Sequence, residues 1–285
     1  MNINLSRGSF DVDLPIRGES RSPVVTTDVG APEVRVSASG TLDPVSIDQR
    51  SRVLTDGFRG VFQGATPSED YDNAIELADM IKSNGDGDPI DATIPLPEYE
   101  SGVLRVPAAG QEQALQIVYN PGQRGFVEID LGLTRVGRIN GGAQQEYNTP
   151  TATGTGPIQI SDGLETVDLT TDVQVTRNVG RPNSEIKATS AERLPYYVEH
   201  QKSAYDQFEL AFKFTSGVDT DLTALRDIFT RQLGSDSLTL DFNGLYNMGA
   251  FSVIPDGSQA LRFVRQSGEQ GTSTIPTINL RVVTN

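Results

Sequence analysis

The chain has 285 residues, with 38 acidic side chains against 23 basic ones, a formal net charge of −15 and a pI near 4.5. That balance excludes the clustered Lys and Arg of a sequence-reading nucleic-acid binder. The absence of Cys excludes disulfides, thiolate nucleophiles and most structural zinc sites.

Only Lys82, Lys187, Lys202 and Lys213 are lysines. A surface rich in carboxylates and poor in Lys predicts adaptation to high salt, where screening shortens self-repulsion to a few Å. No apolar run approaches the roughly 18 residues that span a bilayer, so no membrane association is expected. The opening MNINLSRGSF has no basic segment followed by an apolar core. No signal peptide is therefore expected, and folding in the cytoplasm is.

In chain order, SFDVDLPIRGESRSPVV reads as a strand, a polar loop and a return, and EVRVSASG from Glu33 as a strand. A helix follows over TPSEDYDNAIELADMIKSNG. Ala74, Ile75, Leu77, Ala78 and Ile81 form an apolar stripe, Thr66 caps, Pro67 suits the first turn, and Glu69 completes a capping box. Asn84 and Gly85 are expected to end it. Next come DATIPL from Asp91, GVLRV from Gly102 and QALQIVYNPGQ from Gln113, with Pro121-Gly122 in a turn, then the closing strand FVEIDLGLTRV.

Residues Asn140 to Pro157, rich in Gly, Thr and Pro, read as a linker. Beyond it, TDVQVTRNVGRPNSEIKATSAERL is expected to be a strand, a long hydrophilic loop from Arg177 to Glu192, and a return. QFELAFKF alternates Phe208, Leu210, Phe212 and Phe214 on one face. A second helix over DTDLTALRDIFTRQLGSD carries Leu222, Leu225, Ile228, Phe229 and Leu233. Asp219 or Thr220 caps it and Gly234 ends it. LTLDF, GAFSV, QALRFVRQSGE with Ser267-Gly268 in a turn, and STIPTINLRVV complete the chain.

QALRFVRQSGE matches QALQIVYNPGQ at five of eleven positions, 146 residues apart (259 − 113). Ile129 and Ile275, Arg135 and Arg281, and Val136 and Val282 keep that spacing. The order on both sides is strand, helix, strand, hairpin, long closing strand. An internal duplication is therefore expected, with units at 1–139 and 158–285 and a linker at 140–157.

Candidates for chemistry are few, and no enzyme, cofactor or metal is expected. His200, the only histidine, stands in YYVEHQ and reads as a contact residue rather than a base. Asn84, Asp86 and Asp88 have alternate spacing, but Pro89 and Pro95 occupy the places where a calcium loop needs Gly and Glu. Glu128 and Asp130 share one strand face, as residues two apart must, and read as a solvated face rather than a glycosidase pair.

In architecture the chain resembles the tail tube proteins of long-tailed viruses. The carriers are the helices Asp70 to Ser83 and Asp221 to Leu233, the closing strands ending at Val136 and Val283, and the loop Arg177 to Glu192. The resemblance implies a mainly β (α+β) fold of two tandem β-sandwich or barrel-type units, each with one flanking helix. It further implies a structural virion protein, built in the host cytoplasm, whose trimeric pseudo-six-fold rings stack around a lumen that passes the genome. The implied partners are other copies, the tape measure, tail terminator and distal tail proteins, and viral DNA in transit. The salt-adapted surface fits a virus of halophilic archaea. A distal tail or baseplate ring and, in another class, a tandem ligand-binding module or adhesin are the alternatives.

Overall fold

The computed structural model describes residues 2–15, 24–29, 34–35, 45–46, 54–62, 66–83, 89–93, 104–107, 114–121, 125–136, 138–140, 147–169, 173–180, 184–187, 196–199, 204–212, 219–231, 237–268 and 271–283. The fold is mainly β. The front half runs β1 (Asn2–Arg7), β2 (Phe10–Pro15), β3 (Val24–Val29), β4 (Val34–Arg35), β5 (Val45–Ser46), β6 (Leu54–Phe62), α1 (Pro67–Lys82), β7 (Asp91–Thr93), β8 (Leu104–Pro107), β9 (Leu115–Tyr119) and β10 (Val127–Val136). A short β11 (Arg138–Asn140) follows. The back half runs β12 (Gln159–Ser161), β13 (Thr166–Asp168), β14 (Gln174–Gly180), β15 (Ser184–Lys187), β16 (Tyr196–Glu199), β17 (Tyr205–Ala211), α2 (Asp219–Arg231), β18 (Leu238–Asp241), β19 (Ala250–Pro255), β20 (Leu261–Gly268) and β21 (Gly271–Val282).

The pairings of the back half have counterparts in the front half, all antiparallel. Hairpin β12–β13 matches β1–β2, and β12–β18 matches β1–β7. The closing strand β10 pairs β6 on one side and β8 and β9 on the other, as β21 pairs β17, β19 and β20. Strand β3 joins β6 as β14 joins β17, and the excursion β4–β5 sits where β15–β16 does. A bridge from Ile90 to Arg105 links the two layers in front, where β18–β19 does so behind.

The halves are joined by two ladders: the short β11 pairs parallel with β16 in a small separate sheet, and the longer join lies within the large sheet. Strand β9 pairs antiparallel with β14, so the sheet path runs β13-β12-β18-β19-β21-β17-β14-β9-β10-β6-β3. The core lies under this sheet. In β10, Val127, Ile129, Leu131 and Leu133 are buried on one face while Glu128 points to solvent. Helix α1 packs on β2 and against β6, β9, β10 and β14, so the front helix also covers the join to the back half. Its predicted stripe is buried, and Thr66 Oγ1 accepts from the Glu69 N–H at 3.4 Å. Leu225 and Ile228 of α2 are buried in the same core.

Several expectations need correction. The strand that precedes α1 and faces the closing strand is β6, LTDGFRGVF, not EVRVSASG, of which only β4 lies among the described residues. Gly57, Gly60 and the buried Asp56 break the alternation that would mark it. The N-terminal hairpins also correspond, at another offset. Ile3–Leu14 corresponds to Ile158–Leu169, 155 residues on, with six of twelve positions identical and Gly8 and Gly163 both at positive φ (60° and 84°). Helix α1 ends at Lys82 with Ser83 as its C-cap, whose N–H donates to the Asp79 carbonyl at 2.8 Å; Asn84 and Gly85, expected to end it, lie outside the described residues.

The predicted loop from Arg177 begins inside β14, with the Arg177 side chain wholly buried, and β15 occupies its middle. Ser267 and Gly268 lie in β20 rather than in a turn. Asn84, Asp86, Asp88, Gly122, Phe214, Leu233, Gly234 and His200 lie outside the described residues.

The segment predicted as a linker is a packed strap where it is described. Tyr147 and Thr149 are buried, and Thr151 bridges to Met248. A Cβ on Gly154 would stand 2.1 Å from the Asn243 carbonyl oxygen. Gly154→Ala is therefore expected to force the strap off its seat. A loss of about 1–3 kcal/mol in a denaturant titration is the expected outcome; an unchanged midpoint would show that the strap contributes nothing.

Candidate functional site

The features that set this chain apart are the junction between its halves, the polar face of the continuous sheet and the sheet's two ends. Across the junction Gln116, Ile117 and Tyr119 lie opposite Asn178, Arg177 and Val175. Beneath it sits a buried ionic cluster. Arg177 donates to both oxygens of Asp206 at 2.9 and 2.7 Å, and to Thr149 Oγ1 at 2.9 Å. Lys82, from the last turn of α1, donates to Asp206 at 3.2 Å and lies 3.0 Å from Asp79. Asp79 in turn accepts from the Thr149 N–H at 2.9 Å.

Helix, strap and back-half strands are thus tied through fixed charges. Burial works against the Asp206 charge, but the Arg177 and Lys82 cations outweigh it and hold the carboxyl below the ordinary aspartate range. Burial pushes the neighbouring Tyr119 phenol up to about 12, with Arg177 opposing it. Tyr119 also stacks on Tyr246 with ring centres 4.7 Å apart, and Tyr71 of α1 meets Tyr246 edge-on at 5.3 Å. Asn247 donates to Ser68 and Asp72 of α1, each at 2.8 Å. A cavity of about 240 Å³ opens beside this knot, between Pro67, Tyr71 and Asn120 in front and Gly154, Leu245 and Tyr246 behind.

The opposite face of the sheet is polar. In register across six strands stand Arg59, Asp130, Gln116, Asn178, Gln207 and Arg281. Arg59 Nε meets Asp130 at 2.8 Å, Gln116 donates to Asn178 at 3.2 Å, and Asn178 donates to Gln207 at 3.3 Å. Arg281 closes the row on Asp256 at 2.9 Å. The exposed Glu128 and Glu209 lie on the same face.

The two carboxylates singled out in the sequence, Glu128 and Asp130, belong to this face. Asp130 is held by Arg59, and Glu128 accepts from Asn120 at 3.4 Å. The sequence pointed to neither Asp206 nor Arg177, because 38 acidic residues hide the few that are buried. No group of three or more acidic or histidine side chains suited to a metal occurs among the described residues, and no helix there is long and apolar enough to cross a membrane. No protein-family model matches the chain, and no curated protein matches it in sequence.

Proposed function

We propose that the chain is two copies of one folding unit and serves as a tail tube subunit of a long-tailed virus. Three chains close into a ring with six similar units, and rings stack around a lumen. The single observation that carries this reading is the β9–β14 ladder, which sets two alike units side by side in one unbroken sheet. A join that works once between like units can recur between molecules, and recurrence through a constant rotation closes into a ring.

In this reading the lumen is lined by the polar face of β6, β10, β9, β14, β17 and β21, with the helices outside. Strands β7 and β18 lie in the outer layer. Arg59 and Arg281 on that face are each engaged by a carboxylate, while Glu128 and Glu209 add negative charge. Like charge keeps a passing polyanion from adhering to the wall. The excursions β4–β5 and β15–β16 are the natural arms toward the next ring and toward the tape measure, terminator and distal tail proteins. The acidic, Lys-poor surface fits assembly in molar salt, and so a virus of halophilic archaea.

The test is assembly. The purified chain, held in molar salt at rising concentration, is expected to give hollow rings and stacked tubes by negative-stain electron microscopy. A monomer at every salt and concentration tested would contradict the reading.

A further inference from the structure

Resting on that ring-forming reading, we infer that β20 of one molecule pairs antiparallel with β3 of the next, in a register set by the join already made inside the chain. Among the described residues β3 pairs only with β6, and β20 only with β21. Their counterparts within the chain, β14 and β9, are paired with each other. The internal ladder therefore joins the same two kinds of edge that β3, at one end of the sheet path, and β20, beside β21, leave open among the described residues. Open edges invite pairing with another chain.

The register follows residue by residue. Strand β3 aligns with β14 at a shift of 150, placing Val25, Thr26, Val29 and Gly30 on Val175, Thr176, Val179 and Gly180. Strand β20 aligns with β9 at the shift of 146 already given by QALQIVYNPGQ and QALRFVRQSGE. Inside the chain Leu115 faces Val179, Gln116 faces Asn178 and Val118 faces Thr176. Carried over, Leu261 faces Val29, Arg262 faces Asp28 and Val264 faces Thr26 of the neighbour.

Two independent observations favour a second copy as the occupant. The first is charge. Where the internal join sets one amide against another, Gln116 donating to Asn178 at 3.2 Å, the carried-over register sets a cation, Arg262, against an anion, Asp28. The second is apolar exposure. Leu115 and Ile117 are wholly buried beside β14, whereas Leu261 is only half-buried and Phe263 is 39 % exposed. The counterpart of a buried side chain is thus exposed along the β20 edge. An unrelated partner would have no reason to match either the register or the charge order.

The chain has no Cys, so introduced thiols report cleanly. Thr26→Cys combined with Val264→Cys puts two facing residues within disulfide reach across an antiparallel pair. Oxidation of assembled protein is expected to give covalent multimers on a non-reducing gel, ending at the closed ring. The control, Thr26→Cys with Phe263→Cys, is one residue out of register and is expected to assemble but to run as single chains on the same gel. Arg262→Glu, at an exposed position, is expected to weaken association about tenfold with an unchanged circular dichroism spectrum, and adding Asp28→Arg to restore it. Rings that form without the Thr26–Val264 cross-link, or cross-links confined to one chain, would overturn the edge assignment while leaving ring formation standing. Absence of rings from every variant and from the parent would overturn the ring reading itself, and this inference with it.

Discussion

Asp206→Ala is expected to destabilise the fold by about 3–5 kcal/mol, the usual cost of stranding a buried charge. Arg177 is fully buried and spends both contacts of its fork on Asp206. Without the carboxylate its guanidinium keeps only Thr149 among those hydrogen bonds, and Lys82 loses Asp206 while keeping Asp79. Salt does little to replace what is lost, because screening barely reaches buried pairs. Removing both charges, as in Arg177→Met with Asp206→Leu, is expected to recover most of the loss, since the desolvation cost disappears together with the attraction.

The effect depends on pH in a definite direction. Asp206 has a folded-state pKa below the ordinary 3.8, so its contribution is fully present above about pH 4 and fades as pH falls through the lower folded value. The gap between parent and Asp206→Ala should therefore be constant near neutrality and close on acidification. Guanidinium unfolding at several pH values measures it; a gap below about 1 kcal/mol at pH 7 would mean the cluster is not what holds the halves together.

The second large effect concerns a difference between the halves. In front, Asp56 is fully buried and accepts from Arg105 at 2.9 Å and from Arg135 at 2.9 and 2.8 Å. The pairings place Phe208, Val253 and Val282 at the matching points behind, since Asp56 faces Leu133 as Phe208 faces Leu280, and Arg105 faces Arg135 as Val253 faces Val282. One scaffold thus carries an ion triad and an apolar cluster in the same place. Asp56→Ala is expected to cost about 3–5 kcal/mol, because two guanidinium groups remain around an emptied site. The triple change Asp56→Phe, Arg105→Val and Arg135→Val, which roughly conserves side-chain volume, is expected to be within about 1.5 kcal/mol of the parent. If the triple variant is as unstable as the single one, the two sites are not interchangeable.

Periodicity carried the two helices and the closing strands, because their apolar faces repeat without interruption. Leu54–Phe62 was hidden by two glycines and a core aspartate, which only a buried arginine partner makes acceptable. The correspondence of the N-terminal hairpins was hidden for another reason. The spacing between halves is 155 at Ile3, 150 at Val25 and 146 at Leu115, so changes in loop length defeat a search at one fixed offset. Even the closing strands slip: Leu131 and Leu133 match the buried Ile278 and Leu280, one position beyond the identities at Ile129 and Arg135. The junction left no local signal. Whether β9 seeks β14 or another molecule is decided by geometry outside either strand, and the burial of Arg177 follows from that choice.

Cryo-electron microscopy of the assembled ring tests the central claim most directly. The expected map has six near-equal lobes from three chains, with an unbroken sheet that crosses β9–β14 within each chain and β20–β3 between chains. A ring whose sheet stops at each molecular boundary, or whose two lobes per chain meet their neighbours through different strands, would contradict it.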